Sequence, residues 1–342
     1  MKTVVIIGGG FAGASLAKKL EKSFSVSLID TKDYFEFTPG ILRTIVHPKH
    51  MKKIQVLHSY YLHSSRLIRG EVTDFTSQEV FIGKRKIPFD YLFVCSGSRY
   101  NTPIKEKNIV LPNRADTLRK AHQKLEQAQS VLIVGGGIVG VELAGEISHF
   151  YPKKHVTLVH SKECLMERCV PRVQSYVKNY FFQRGVNIVY NQRLEVKSGK
   201  FILSSGEEMK ADLCFFCTGI TPNTEFFRKH FSSSLNERKQ VKVKETLQLE
   251  HYPHIFVVGD LNDIQEEKTA QSAEKQAAVA ALNLFALEEG RKLSSYHTFP
   301  KVMVISIGRF SGVLTYKNIV LCGLLPALIK WFVEWKTMMR YR

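Results

Sequence analysis

The residues best placed to do chemistry are glycines. Gly8, Gly10 and Gly13 spell GxGxxG directly after the apolar run Val4 to Ile7, and Gly135, Gly137 and Gly140 repeat it after Val131 to Val134. At this spacing the first glycine allows a tight turn, the second lets a pyrophosphate approach the backbone, and the third lets the next helix pack on its strand. The helix N-terminus then meets the phosphates with unpaired N–H groups. After the first copy, "FSVSLID" ends in Asp30, an acid that can accept hydrogen bonds from a ribose hydroxyl pair. After the second, "HVTLVHS" ends without an acid: His160, Ser161 and Lys162 stand there, with Glu163 just beyond. That neighbourhood tolerates a 2′-phosphate, and Glu163 can serve a plain ribose, so both forms of the second ligand stay open.

Two such cradles imply two bound dinucleotides, most simply a flavin held in place and a nicotinamide that delivers hydride to it. Strands must bring other backbone close to them. "YLFVCSGS" delivers Ser96 and Gly97, "LCFFCTGI" delivers Gly219, and "HIFVVGDLND" delivers Gly259 and Asp260 to a turn where a carboxylate and N–H groups can meet a ribityl chain and pyrophosphate. The expected organisation is a discontinuous FAD-binding domain, residues 1–115 and 245–295, enclosing an NAD(P)H-binding domain, residues 116–244. "LPNRADTLRK" and "VKVKETLQLE" are the crossings, and a C-terminal region, residues 296–342, completes the chain.

The 342 residues, 44% hydrophobic and 23% charged, suffice for two buried cores. The first strand begins almost at Met1, so a cytosolic start without a signal or transit peptide is expected. The six cysteines are scattered, as in a reducing compartment. Cys214 and Cys217 have redox-motif spacing but lie in an apolar strand-like run, which reads as buried structural thiols. No metal-ligand constellation occurs, so no metal is expected. The formal charge of +18 fits nucleic acid, anionic lipid or an anionic substrate. Its basic residues are spread along the chain without a nucleic-acid module, and no specific nucleic acid is expected.

Together, GxGxxG with Asp30, the "CSG" and "CTG" strand ends, the second GxGxxG with Glu142 and "VVGD" resemble the two-dinucleotide-binding-domain flavoproteins. The resemblance implies an α/β fold with two Rossmann-like domains of the glutathione-reductase type, binding FAD and NADH or NADPH. Members that reduce disulfides carry a CxxxxC pair after the first ribose acid. Residues 31–60 hold no cysteine, which argues against that chemistry. "DYFEFTPGILRTIV" resembles the type II NADH:quinone dehydrogenases, and "YPKKHVTLVHS", "FCTGITPNTEFFRKHF", "ISIGRFSGV" and "WKTMMR" resemble the ferroptosis-suppressor, apoptosis-inducing-factor-like group related to them. The resemblance implies a quinone acceptor. "AQSAEKQ" (Ala270 to Gln276) departs from the type II AQxAxQ pattern by setting its second glutamine one residue late, and Lys2 stands where a myristoylated glycine would be.

A quinone enzyme must reach a membrane. The run "IVLCGLLPALIKWFVEW" carries Pro326, Lys330 and Glu334 and is no membrane span. Leu324, Leu325, Leu328, Trp331, Phe332, Trp335, Met338 and Met339 instead recur at helical spacing among lysines and arginines, as on a helix lying in anionic lipid. A core or homodimer helix has the same stripe. The expected C-terminal region is thus a β-hairpin and an amphipathic helix, on a peripheral protein at the cytoplasmic side of a membrane. Glu142 is the candidate for orienting the dihydronicotinamide, and Gln271 and Lys275 are candidates for quinone or flavin contacts. A soluble reductase of a protein acceptor and a redox-sensing nucleic-acid-binding flavoprotein are the competing readings.

Overall fold

The computed structural model describes residues 1–100 and 113–342. Its frame is two separate parallel sheets, each headed by one glycine cradle. In the six-stranded sheet the spatial order is Gln248–Leu249, Tyr252–Val257, Tyr91–Val94, Thr3–Ile7, Ser25–Asp30 and Arg66–Arg69. All neighbours are parallel except the Gln248–Leu249 edge. The second sheet runs Asn187–Val189, His155–Val159, Ser130–Val134 and Leu213–Phe216, all parallel. Continuous apolar strands such as Val4 to Ile7 and Val131 to Val134 are buried throughout, because helices and small sheets cover both faces of a parallel sheet.

The chain leaves the first sheet after Tyr91–Val94, builds the second between Ser130 and Phe216, and rejoins the first at Gln248. The crossing "LPNRADTLRK" lies partly outside the described residues. The helix Phe11–Leu20 packs on Ala270–Glu288, whose alanines Ala273, Ala277 and Ala280 are buried and permit close approach.

The C-terminal region contains the expected hairpin, Met303–Ser306 with Gly312–Tyr316, and extends it by a third antiparallel strand, Ile319–Gly323. Lys317, at φ 51°, makes the tight turn, and β-branched Ile319 and Val320 favour the strand. Gly323, at φ 106°, then starts the helix Leu324–Met339, with Pro326 in its first turn, where a missing N–H costs nothing. This helix buries Ala327 and Met338 and exposes Leu324, Leu325, Leu328, Phe332, Trp335 and Met339. Past its end Tyr341 is buried, stacked on Phe35 at 4.1 Å and edge-on to Tyr61 at 4.9 Å, which pins the terminus to the first domain. Among the described residues no helix is long and apolar enough to cross a membrane.

Candidate functional site

The two cradles are built alike. Gly8 takes φ 98° and Gly135 φ 111°, and a Cβ on either would lie 2.4 Å or 2.5 Å from the carbonyl oxygen of Cys95 or Cys217. A Cβ on Gly13 or Gly140 would lie 1.8 Å from the carbonyl oxygen of Gly8 or Gly135, so neither helix could seat with any other residue there. Gly10 and Gly137 are different: each caps its helix, and a Cβ there would meet nothing within 4 Å. Open space at a helix N-terminus, between two glycines locked by packing, fits a pyrophosphate.

The first cradle opens into a cleft of about 920 Å³. It brings together Gly8, Gly10, Asp30, Ser96, Gly97, Gly259, Asp260, Glu142 and Gln271 of the residues expected from sequence. Asp30 is buried and accepts the Gly9 N–H at 2.9 Å, with His58 Nε2 at 3.4 Å and Lys32 Nζ at 3.5 Å. Burial opposes its charge, but Lys32, His58 and the Lys32 N–H outweigh that cost and hold the carboxyl well below the usual range. His58 is itself held by the Tyr61 hydroxyl at 2.6 Å. Ser98 donates to Asp260 at 2.6 Å.

The far wall of the cleft comes from the C-terminal helix, through Ile329, Lys330, Val333, Lys336, Thr337 and Arg340. Here Glu142 has a fixed partner set: its Oε1 accepts from Lys330 Nζ at 2.8 Å, Ser306 N at 2.9 Å and Ser306 Oγ at 3.2 Å. Both members of the Glu142–Lys330 pair are nearly buried, so the pair holds helix to helix with little screening.

Other expected residues lie elsewhere. Gly13 sits beneath the first cradle, Gly135, Gly137 and Gly140 form the second, and Glu163 and Gly219, which follow the strands His155–Val159 and Leu213–Phe216, lie outside this cleft as well. Lys275 does not line it. Its ammonium sits 3.9 Å from the centre of the Phe299 ring and reaches the His297 carbonyl at 3.5 Å, a cation–π contact beside the cleft. Gln271 donates to the Val302 carbonyl at 2.7 Å from the cleft wall. The late glutamine, Gln276, is fully buried: its Oε1 accepts from Gly259 N and Asn262 Nδ2, each at 2.7 Å, and its amide donates to Glu266 at 2.8 Å. It therefore sets the Gly259–Asp260 turn. The amide at the end of "AQSAEKQ" was the available signal for this, and Lys330 had none beyond its break in an apolar stripe. Burial pushes the Cys214 and Cys217 thiols up to about 12, the opposite of what a reactive pair needs.

Two nucleotide cradles on parallel sheets, with a cleft between the first and the second cradle's helix, define a dinucleotide-linked flavoprotein oxidoreductase. Residues 2–277 match the model of the pyridine nucleotide-disulphide oxidoreductase family, and the chain belongs to that family. It takes FAD and a nicotinamide dinucleotide. The chain is 30% identical over 345 residues to apoptosis-inducing factor homolog B of Dictyostelium discoideum, covering 91% of this chain and 89% of that one. It is also 30% identical over 356 residues to human ferroptosis suppressor protein 1, covering 98% and 95%. Its fold matches sulfide:quinone oxidoreductase from Aquifex aeolicus with a TM-score of 0.84 at 19% identity, covering 100% of this chain and 92% of that one. NDH2 from Plasmodium falciparum, solved in complex with NADH, matches with a TM-score of 0.83 at 17% identity, covering 99% and 96%.

Proposed function

We propose that the chain is an NAD(P)H:quinone oxidoreductase that works at a membrane surface without crossing the membrane. The observation that carries this is the double role of the C-terminal helix: one face walls the cleft of the first cradle, and the other exposes Leu324, Leu325, Leu328, Phe332, Trp335 and Met339. An apolar face with Lys317, Lys336 and Arg340 close to it in the sequence, the last two at the cleft wall, suits an anionic headgroup layer, and it would set the cleft beside the lipid that dissolves a quinone. Fold relatives whose names include a quinone oxidoreductase support the reading. A peripheral position on the cytoplasmic side is part of the proposal. So is a division into residues 1–115 with 245–295 around FAD and 116–244 around NAD(P)H, a division that the separate sheet memberships support.

When bound, FAD supplies the two-electron step that accepts hydride and returns electrons to quinone; with one solvent proton the balance is NAD(P)H and quinone to NAD(P)⁺ and quinol. Gly8, Gly10 and Gly13 would cradle its pyrophosphate, ionised Asp30 would accept from its ribose, and Ser96, Gly97, Gly259 and Asp260 would hold its flank. Gly135, Gly137, Gly140 and Gly219 would hold the nicotinamide dinucleotide, with Glu163 near its ribose. Glu142, fixed by Lys330 and Ser306, would present its second oxygen toward the nicotinamide amide. Gln271 remains a candidate for a quinone or flavin contact from the cleft wall, while Lys275 would steady the Tyr296 to Phe299 segment behind it.

The test is NADH oxidation with a short-chain ubiquinone, with and without anionic liposomes, for the wild type and Phe332→Glu/Trp335→Glu. Liposome binding and stimulation in the wild type alone are expected, with the turnover in free solution kept by both. Equal stimulation of both proteins contradicts membrane docking through this helix, and no quinone turnover in either contradicts the acceptor.

A further inference from the structure

One aromatic ring at the far end of the C-terminal helix reaches the first cradle by two routes. Tyr341, just past the helix Leu324–Met339, is 3% exposed. Its ring stacks on Phe35 at 4.1 Å, and Phe35 meets Phe11 in a T-shaped contact at 5.2 Å. Phe11 opens the cradle helix and lines the cleft beside Gly10. On its other side Tyr341 meets Tyr61 edge-on at 4.9 Å, and the Tyr61 hydroxyl lies 2.6 Å from His58 Nδ1. His58 Nε2 in turn faces Asp30 Oδ2 at 3.4 Å, the oxygen that accepts the Gly9 N–H.

Each link has a physical task. Burial, with Tyr341 and Asp30 nearby, holds the Tyr61 hydroxyl well above the usual phenol range, so it keeps its proton and donates to Nδ1. The His58 hydrogen then stands on Nε2, aimed at the carboxylate. There is no slack at this point: a Cβ on Gly9 would lie 2.6 Å from Asp30 Oδ2 and closer still to His58 Nε2. Phe35, His58, Tyr61 and Tyr341 are all buried, so none can turn unless a neighbour moves. The seat is also held from outside. Lys18, on the cradle helix, donates to the Arg340 carbonyl, and Arg342 donates to the carbonyls of Lys52 and Lys53 at 3.2 Å and 3.1 Å.

Resting on the reading of the first cradle as the flavin site, we propose that Tyr341 is a positioning residue for the flavin. Seated between Phe35 and Tyr61, it fixes Phe11 at the pyrophosphate end and, through Tyr61 and His58, the Asp30 carboxylate at the ribose end. Lifting the end of the C-terminal helix loosens the flavin without touching it, so the helix that walls the cleft also governs how long its cofactor stays.

The test is flavin release from the purified yellow protein, read as the rise of free-flavin fluorescence after dilution. Tyr341→Ala should release flavin about tenfold faster than the wild type, and Tyr341→Phe, which keeps both ring contacts, within about twofold of it. Tyr61→Phe keeps its ring but loses the hydroxyl that orients His58. It should also release about tenfold faster, and it keeps the test open should Tyr341→Ala misfold. Asp30→Asn should release faster by itself. In that background Tyr61→Phe should add less than about twofold, because the hydrogen bond it aims has lost its charged acceptor. Release that is unchanged in Tyr341→Ala, or equally fast in Tyr341→Phe, overturns the role of Tyr341. A Tyr61→Phe effect that adds in full to Asp30→Asn overturns the route through His58. An Asp30→Asn variant that holds flavin like the wild type overturns instead the reading of the first cradle on which the proposal rests.

Discussion

The first and second cradles share the same glycine mechanics to within a few tenths of an ångström, yet their surroundings differ. The first opens into the large cleft and is closed by the C-terminal helix, with its acid pinned by Lys32 and His58. The second ends in a histidine and an exposed loop; its helix lends Ile138, Val139 and Glu142 to that cleft, but its glycines lie outside it. On the proposed assignment identical turns serve opposite requirements: a ligand to be kept needs enclosure and fixed charge, and one that must leave each cycle needs an open edge. That proposal puts retention in what surrounds a cradle, while the cradle itself specifies only a dinucleotide.

The strongest way to break this comparison is to spoil each turn in the same manner. Gly13→Ala and Gly140→Ala each place a Cβ 1.8 Å from a backbone carbonyl oxygen. Gly13→Ala should purify colourless. Gly140→Ala should purify yellow but lose roughly a hundredfold or more in the rate of flavin reduction at fixed low NADH, read by stopped-flow absorbance, as displaced positioning groups typically cost. Equal flavin loss in both variants would erase the distinction between a retained and an exchanged ligand.

Next in size is the pair that joins the second cradle's helix to the wall of the first. Lys330→Met leaves the buried Glu142 with its Ser306 hydrogen bonds but without its counter-charge, and should cost about 3 kcal/mol in chemical denaturation. Lys330→Met with Glu142→Gln should recover most of it, because the uncompensated charge is then gone. A double variant no more stable than Lys330→Met would mean that the pair is not coupled as drawn.

Asp30 sharpens the comparison through pH. Its folded pKa is depressed, so its charge stabilises the fold at pH above the unfolded value of about 3.9, and that contribution is lost as pH falls through the depressed folded value. The Tm difference between wild type and Asp30→Asn should be full at neutral pH and shrink only below about pH 4. A difference that vanishes already near neutrality would contradict an ionised, paired Asp30. The smallest effect belongs to Lys275→Ala, which removes a cation–π contact worth about 0.5 kcal/mol and should leave quinone turnover within about twofold.

What could be read from the sequence was local in the chain. Each glycine turn, the strand before it and Asp30 after it lie within one βαβ unit, where spacing and apolar runs determine geometry. Glu142 could be singled out for the same reason, but its partner Lys330 lies on the final helix, and only the folded chain brings them together. Gln276 looked like a misplaced quinone-site residue because its function depends on the facing turn after Tyr252–Val257. Lys275, four residues after Gln271 and so on the same helix face, is turned aside by Phe299, whose segment carries no periodic signal. The strand Ile319–Gly323 merged with the apolar run of the following helix, and only the positive φ of Gly323 separates the two.

The most direct test of the central claim is an anaerobic double-mixing experiment on the flavin-loaded protein. One equivalent of NADH is followed by absorbance, and a short-chain ubiquinone is then added. The account predicts that the oxidised-flavin band bleaches with NADH and returns with quinone at a rate that sustains turnover. Bleaching without return would contradict a quinone acceptor and leave an enzyme of this family whose electrons go elsewhere.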